Sequence, residues 1–227
     1  MRFFNFILNI LFPPRCASCK IEGDFLCNEC IARLKIKKIK DLGRFKQNEF
    51  QYLDGVIYGL DYAENPQIKA ALKQFKYRFT KDLVDYFSDL IACKLNELSM
   101  TKNKQIILVP VPLHKKRLNY RGFNQAELIA RSVQEKMGDR VQVLNLLERV
   151  RHTDQQAKLN KKERQENLKD AFVIESGLQL ESGLDTVYFV VDDVCTTGST
   201  LENCAQVLKK SGLQRVYGLV VAKALKN

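Results

Sequence analysis

The chain has no tryptophan, two histidines, three methionines and five prolines in 227 residues. The two histidines, His114 and His152, both lie in basic stretches and read as solvated loop side chains rather than as phosphate contacts. No apolar run is long enough to cross a bilayer. The most apolar stretch, 3–12, is broken by Asn5 and Asn9 and ends at Pro13-Pro14-Arg15. That ending lacks the small residues of a signal-peptide cleavage site, and Arg15 ahead of Cys16 spoils a lipoprotein one. The segment therefore reads as an amphipathic helix docked on the core or on a partner. The chain reads as cytoplasmic, at most peripheral to the inner membrane. The composition of a disordered chain is missing too, because 45% of residues are apolar. That suffices for one α/β domain with a sizeable core plus a small attachment.

Positive charge is in excess, at +11 overall. It is uneven: +5 over residues 1–50 and +8 over 101–170, against −1 in each of 51–100 and 171–227. A one-sided basic surface implies a polyanionic partner, either nucleic acid or phosphorylated ligands.

Four of the seven cysteines form two C-x2-C pairs, Cys16/Cys19 and Cys27/Cys30, separated by seven residues. Four thiolates complete a tetrahedral Zn2+ site and leave no open position for catalysis. Gly23 allows a tight turn between the pairs, and a module this short has almost no core to hold it otherwise. Paired disulfides fit a reducing cytoplasm less well, while an iron–sulfur centre uses the same four ligands. Residues 31–50 continue as a basic linker or short helix. The expected division is a helix, zinc ribbon and linker over 1–45 and a main domain over 46–227.

Residues 187–200 read Val-Tyr-Phe-Val-Val-Asp-Asp-Val-Cys-Thr-Thr-Gly-Ser-Thr. Five apolar residues without alternation predict a strand buried on both faces of a parallel sheet. Asp192 and Asp193 end it, and a hydroxyl-rich turn leads into a helix with Leu201, Cys204, Ala205 and Leu208 on one face. Unpaired N–H groups and the helix dipole suit the turn to a phosphate. Gly198 lets the backbone approach, and Thr196, Thr197, Ser199 and Thr200 supply hydroxyl donors. A phosphate would repel the two carboxylates, so they need sugar hydroxyls or Mg2+. The ligand these parts match is a ribose 5-phosphate. The stretch resembles the PRPP-binding motif of type I phosphoribosyltransferases. That resemblance implies ribose diol contacts from Asp192 and Asp193 and a 5-phosphate held by 196–200.

Further strands are expected at 52–62, 106–112, 141–144, 171–174 and 216–222. Helices are expected from Pro66, over 81–98, from Asn124 and over 199–211. The fold class is α/β with a mostly parallel sheet. Lys73, Lys76, Tyr77 and Arg78 interleave cations with aromatics, the mixture that single-stranded nucleic acid needs. The competing reading is a helix with core aromatics and rim lysines. Lys115, Lys116, Arg117 and Arg121 place four cations in seven residues, just past a strand's carboxyl end, where ligands of open α/β folds bind. Lys116, Arg117 and Arg121 suit pyrophosphate, the leaving group of PRPP, and Lys115 suits DNA. The strongly polar segment 148–170 reads as a mobile loop closing over the ligand.

Val-Pro-Val-Pro at 109–112, Arg-Gly-Phe-Asn-Gln at 121–125, the four cysteines and the 187–200 motif occur in the order found in the ComF family of competence proteins, which the chain resembles over most of its length. The stretch from Gln156 to Phe172 adds to that likeness. The resemblance implies a phosphoribosyltransferase fold with an N-terminal zinc ribbon, and a role on the cytoplasmic side in natural transformation, where incoming DNA is single-stranded. Implied partners are PRPP with Mg2+, single-stranded DNA, and a DNA-uptake helicase or channel protein at the inner membrane. If the protein is an enzyme, Asp192 and Asp193 are its catalytic residues, and the alternative role is transfer of ribose 5-phosphate from PRPP to a base in salvage.

Overall fold

The apolar run 187–191 lies at the centre of a five-stranded parallel sheet in the computed structural model, which describes residues 13–37, 50–77, 81–151, 171–175 and 185–224. Its side chains are at most 3% exposed, as expected of a strand covered on both faces. The sheet comprises β1 (Val56–Asp61), β2 (Gln105–Pro110), β3 (Val141–Val143), β6 (Thr186–Cys195) and β7 (Val216–Lys223), in the order β1-β7-β6-β2-β3. A separate antiparallel pair joins β4 (Leu147–Arg149) to β5 (Phe172–Ile174).

Helix α1 (Asn28–Ala32) belongs to the cysteine module. Between β1 and β2 run α2 (Pro66–Phe75) and α3 (Lys81–Glu97). In α2, Ile68, Ala71, Leu72 and Phe75 are fully buried, the stripe that a period of 3.6 dictates. After β2 come α4 (Lys115–Arg121) and α5 (Gln125–Met137), and α6 (Ser199–Lys210) links β6 to β7. β2 leads outward to β3 through α5, whereas β6 leads the opposite way to β7 through α6. Right-handed crossovers then put α5 and α6 on opposite faces. A crevice is left at the carboxyl ends of β2 and β6, the switch point of the sheet.

The structure corrects several expectations. The acidic pair does not end its strand: β7 continues alongside, pairing Asp192 with Val220 and Cys195 with Lys223, so β6 carries both carboxylates inside its ladder. Residues 171–174 do not join the main sheet. Phe172 is buried while Val173 is 39% exposed, an alternation that suits a half-solvated antiparallel pair rather than a parallel sheet. The 52–62 strand shortens to 56–61. The basic segment after β2 is itself helical, and Gly122, at φ +78°, separates α4 from α5 in a left-handed turn.

The N-terminal amphipathic segment, most of the basic linker, Arg78, and residues 152–170 with His152 lie outside the described residues. Among the described residues no helix is long and apolar enough to cross a membrane.

Candidate functional site

Over the carboxyl ends of β2 and β6 opens a cavity of about 510 Å3. β6 brings Asp192 and Asp193 to it, the turn brings Thr196 to Thr200, and α4 brings Arg117 and Arg121. Lys76 and Arg149 also reach it.

Asp193 is 6% exposed, and Lys76 Nζ stands 3.1 Å from its Oδ2. Its backbone N–H donates to Asp192 Oδ1 at 2.8 Å. Burial pushes the Asp192 carboxyl up to about 7, the Asp193 charge adds to the shift, and Lys76 opposes it. Burial by itself would lower the Lys76 ammonium; the two aspartates outweigh it and raise the group above its ordinary value. Tyr62 is raised by burial and then by the same two charges.

The same cavity also carries arginines. Arg149 is 6% exposed, with its guanidinium 5.3 Å from the Phe172 ring centroid. Burial, and then the charge of Arg117, hold it below the usual arginine value. Arg121 donates to Gln125 Oε1 at 3.1 Å and lies 6.0 Å from the Tyr77 ring centroid. Asn124 fixes the start of α5, its Oδ1 accepting from the Ala126 N–H at 3.1 Å.

The turn at 196–199 depends on Gly198, at φ +76°. A Cβ there would lie 2.4 Å from a Phe50 ring carbon, so any side chain would have to displace that ring. The hydroxyls of Thr197 and Ser199 lie 2.9 Å apart. Glu202, one turn into α6, accepts from the backbone N–H groups of Gln51 at 2.6 Å, Tyr52 at 2.8 Å and Leu53 at 3.1 Å. The incoming chain is thereby strapped beside the turn.

The structure brings Asp192, Asp193, Thr196, Thr197, Gly198, Ser199, Thr200, Arg117 and Arg121 together around one cavity. Lys116 is exposed and outside the lining, as are Lys73 and Lys115. Lys76 and Tyr77, read from the sequence as DNA contacts, also line the cavity. Sequence reasoning put Arg149 in the mobile loop, but it lies in β4, paired with Phe172. The available signal was the alternation Leu147-Glu148-Arg149, with both odd positions buried. Chemically, the cavity sets acceptors for hydroxyl groups beside donors for a phosphate, with cations for further anionic charge. Because Lys76 already compensates Asp193, the pair is a poor protein-only Mg2+ site; Mg2+ suits it better when carried in by phosphates.

The four Sγ atoms of Cys16, Cys19, Cys27 and Cys30 all lie within 4.8 Å of one another, with Cys19 and Cys27 3.6 Å apart. Bonds of about 2.3 Å to a tetrahedral centre put sulfurs about 3.8 Å apart, so the residues fit one metal ion. Burial would raise the Cys16 thiol, but backbone N–H groups of Cys27, Cys19 and Ser18 aim at its sulfur and bring it to about 6. The Ile21 N–H would lower Cys19; burial and the other three sulfurs outweigh it and push it up to about 12. A bound cation relieves that repulsion.

No family model matches the chain. It is 29% identical to competence protein F of Haemophilus influenzae over 235 aligned residues, covering 99% of this chain and all of that protein. It is 32% identical to the DNA utilization protein YhgH of Escherichia coli over 167 residues, 73% of this chain and 70% of the relative. Competence protein ComFC of Bacillus subtilis is 28% identical over 151 residues, 66% of this chain and 57% of the relative.

Proposed function

The chain belongs to the family of competence protein F, ComFC and the DNA utilization protein YhgH, and on that premise we propose that it is a cytosolic factor handling incoming single-stranded DNA in natural transformation, with a PRPP-binding crevice. The observation that carries the crevice is the joining, around one cavity, of the Asp192–Asp193 pair and the Thr196–Thr200 turn. Ribose hydroxyls donate to the carboxylates, and the 5-phosphate accepts from the N–H groups and hydroxyls at the start of α6. Mg2+ arrives with the diphosphate and neutralises it. Titration calorimetry with Mg2+-PRPP tests this: binding should be saturable in the native protein and lost in Asp193→Asn. A mobility assay with single strands tests the DNA role, with affinity falling steeply as salt rises.

Phosphoribosyl transfer is the second reading, favoured by Arg117, Arg121 and Arg149 lining the same cavity as the carboxylates. A departing pyrophosphate needs such cations, while the aspartates favour positive charge developing on the ribose. Steady pyrophosphate release in the presence of a base, abolished by Asp193→Asn, would establish turnover.

The cysteine module takes one structural Zn2+. Sulfurs all within 4.8 Å suit a single ion, whereas a multi-iron cluster interposes its own sulfides and spreads its thiolates. This module, whose chain runs on to pair Ile36 with Leu60 of β1, is the side offered to a DNA-uptake helicase or channel protein at the inner membrane. Elemental analysis of the purified protein should find one zinc per chain and no iron.

A further inference from the structure

Helix α4 buries none of its seven residues. An isolated helix this short is marginal in water, and α4 is held by its end caps together with the contact of Arg121 on the Tyr77 ring. His114 Nδ1 accepts the Lys116 N–H at 3.2 Å, and Gly122 closes its carboxyl end. A helix that adds nothing to the core is free to serve a ligand, and its residues divide by helical spacing. Arg117 and Arg121, four apart, line the crevice. Lys115, Lys116 and Leu118 are exposed outside that lining. At the boundary stands Tyr120, 79% exposed, and Tyr77, 57% exposed, also lines the rim.

Two tyrosines this exposed, Tyr77 with Arg121 over its ring, share the rim with exposed Lys115 and Lys116 and bury little of their own surface. Ring faces for bases and ammonium groups for a phosphodiester backbone are what sequence-tolerant binding of single strands requires. We propose that the outer side of α4, with Tyr77, is a platform on which single-stranded DNA lies: bases stack on Tyr77 and Tyr120 while phosphates meet Lys115 and Lys116. This rests on the DNA-handling reading and deepens it, since the strand lies on the crevice rim rather than inside it. Arg117 and Arg121 stay available to the crevice ligand, so both ligands fit at once.

The test uses the full-length, metal-loaded protein and fluorescence anisotropy with a labelled oligothymidylate at several KCl concentrations. Tyr120→Ala should weaken binding on the order of tenfold, and Tyr120→Phe should keep it, because stacking needs only the ring. Lys115→Gln with Lys116→Gln should reduce the slope of log affinity against log salt by about 1.4, two phosphates at about 0.7 each. Saturating PRPP should shift the strand's affinity by less than about twofold, the mark of separate sites. If PRPP displaces the strand completely, the DNA lies in the crevice and the platform is wrong. If the native protein binds the strand while the tyrosine and lysine variants bind as well as it does, the platform alone fails. If the native protein binds no single strand at low salt, the DNA-handling reading fails with it.

Discussion

Lys76 and Asp193, 117 residues apart in the chain, meet with Nζ 3.1 Å from Oδ2 at the floor of the crevice. The aspartate side chain is 8% exposed and the lysine 34%, so the pair is only partly screened. A ligand hydroxyl reaching Asp193 shares it with this ammonium, and Lys76 thereby positions the carboxylate. Lys76→Met should destabilise the fold by about 1–3 kcal/mol, less than the loss of a fully buried partner, and should weaken PRPP binding. Urea denaturation and calorimetry measure the two effects; an unchanged midpoint with unchanged affinity would mean the pair is incidental.

The Asp192 carboxyl, raised from an ordinary 3.8 to about 7, carries a signature in pH. Between those values the native state keeps a proton that the unfolded chain has lost, so stability falls as pH rises through that window. Asp192→Asn should remove about 2 kcal/mol of this pH dependence. Urea midpoints of both proteins from pH 4 to 8 decide it. Parallel curves would place the titration elsewhere.

Gly198→Ala should cost about 2 kcal/mol or more, since φ +76° and the Phe50 contact act against the new methyl together. Phe50→Ala in the same chain should relieve the clash but not the backbone strain. Recovery in the double variant should therefore be partial in stability and PRPP affinity alike; complete recovery would show that the ring alone excludes the side chain.

Removing a bound metal should unfold the cysteine module and leave the sheet standing, because Cys16, Ala17, Leu26 and Cys30 supply only a small part of the shared core and the strands keep the rest. A strong chelator, or Cys16→Ser, should abolish metal content and expose amides of residues 13–34 to hydrogen exchange, while β6 and β7 stay protected. Loss of protection in β6 as well would show that the module and sheet fold as one unit.

Much of this architecture was legible in the sequence, because continuous apolar runs and stripes of period 3.6 leave few choices. Val187–Val191 and the buried face of α2 are such cases. The acidic pair and the turn after it were equally visible, since carboxylates, glycine and hydroxyls have few joint uses. Pairing depends on partners and is written less clearly. That β7 runs on past Asp192, or that Phe172 pairs with Arg149 rather than with the main sheet, follows from strand lengths that no local pattern encodes. The destination of Lys76 was hidden for the same reason. A lysine between Phe75 and Tyr77 looks like a rim charge until the fold carries Asp193 beneath it.

The strap by Glu202 bears on how the chain can be divided. One carboxylate holds three successive amides at 51–53, and Phe50 roofs Gly198. A fragment trimmed back to β1 would keep every strand of the sheet yet surrender the brace on its anion-binding loop. Any excised catalytic or binding fragment should therefore begin upstream of Phe50.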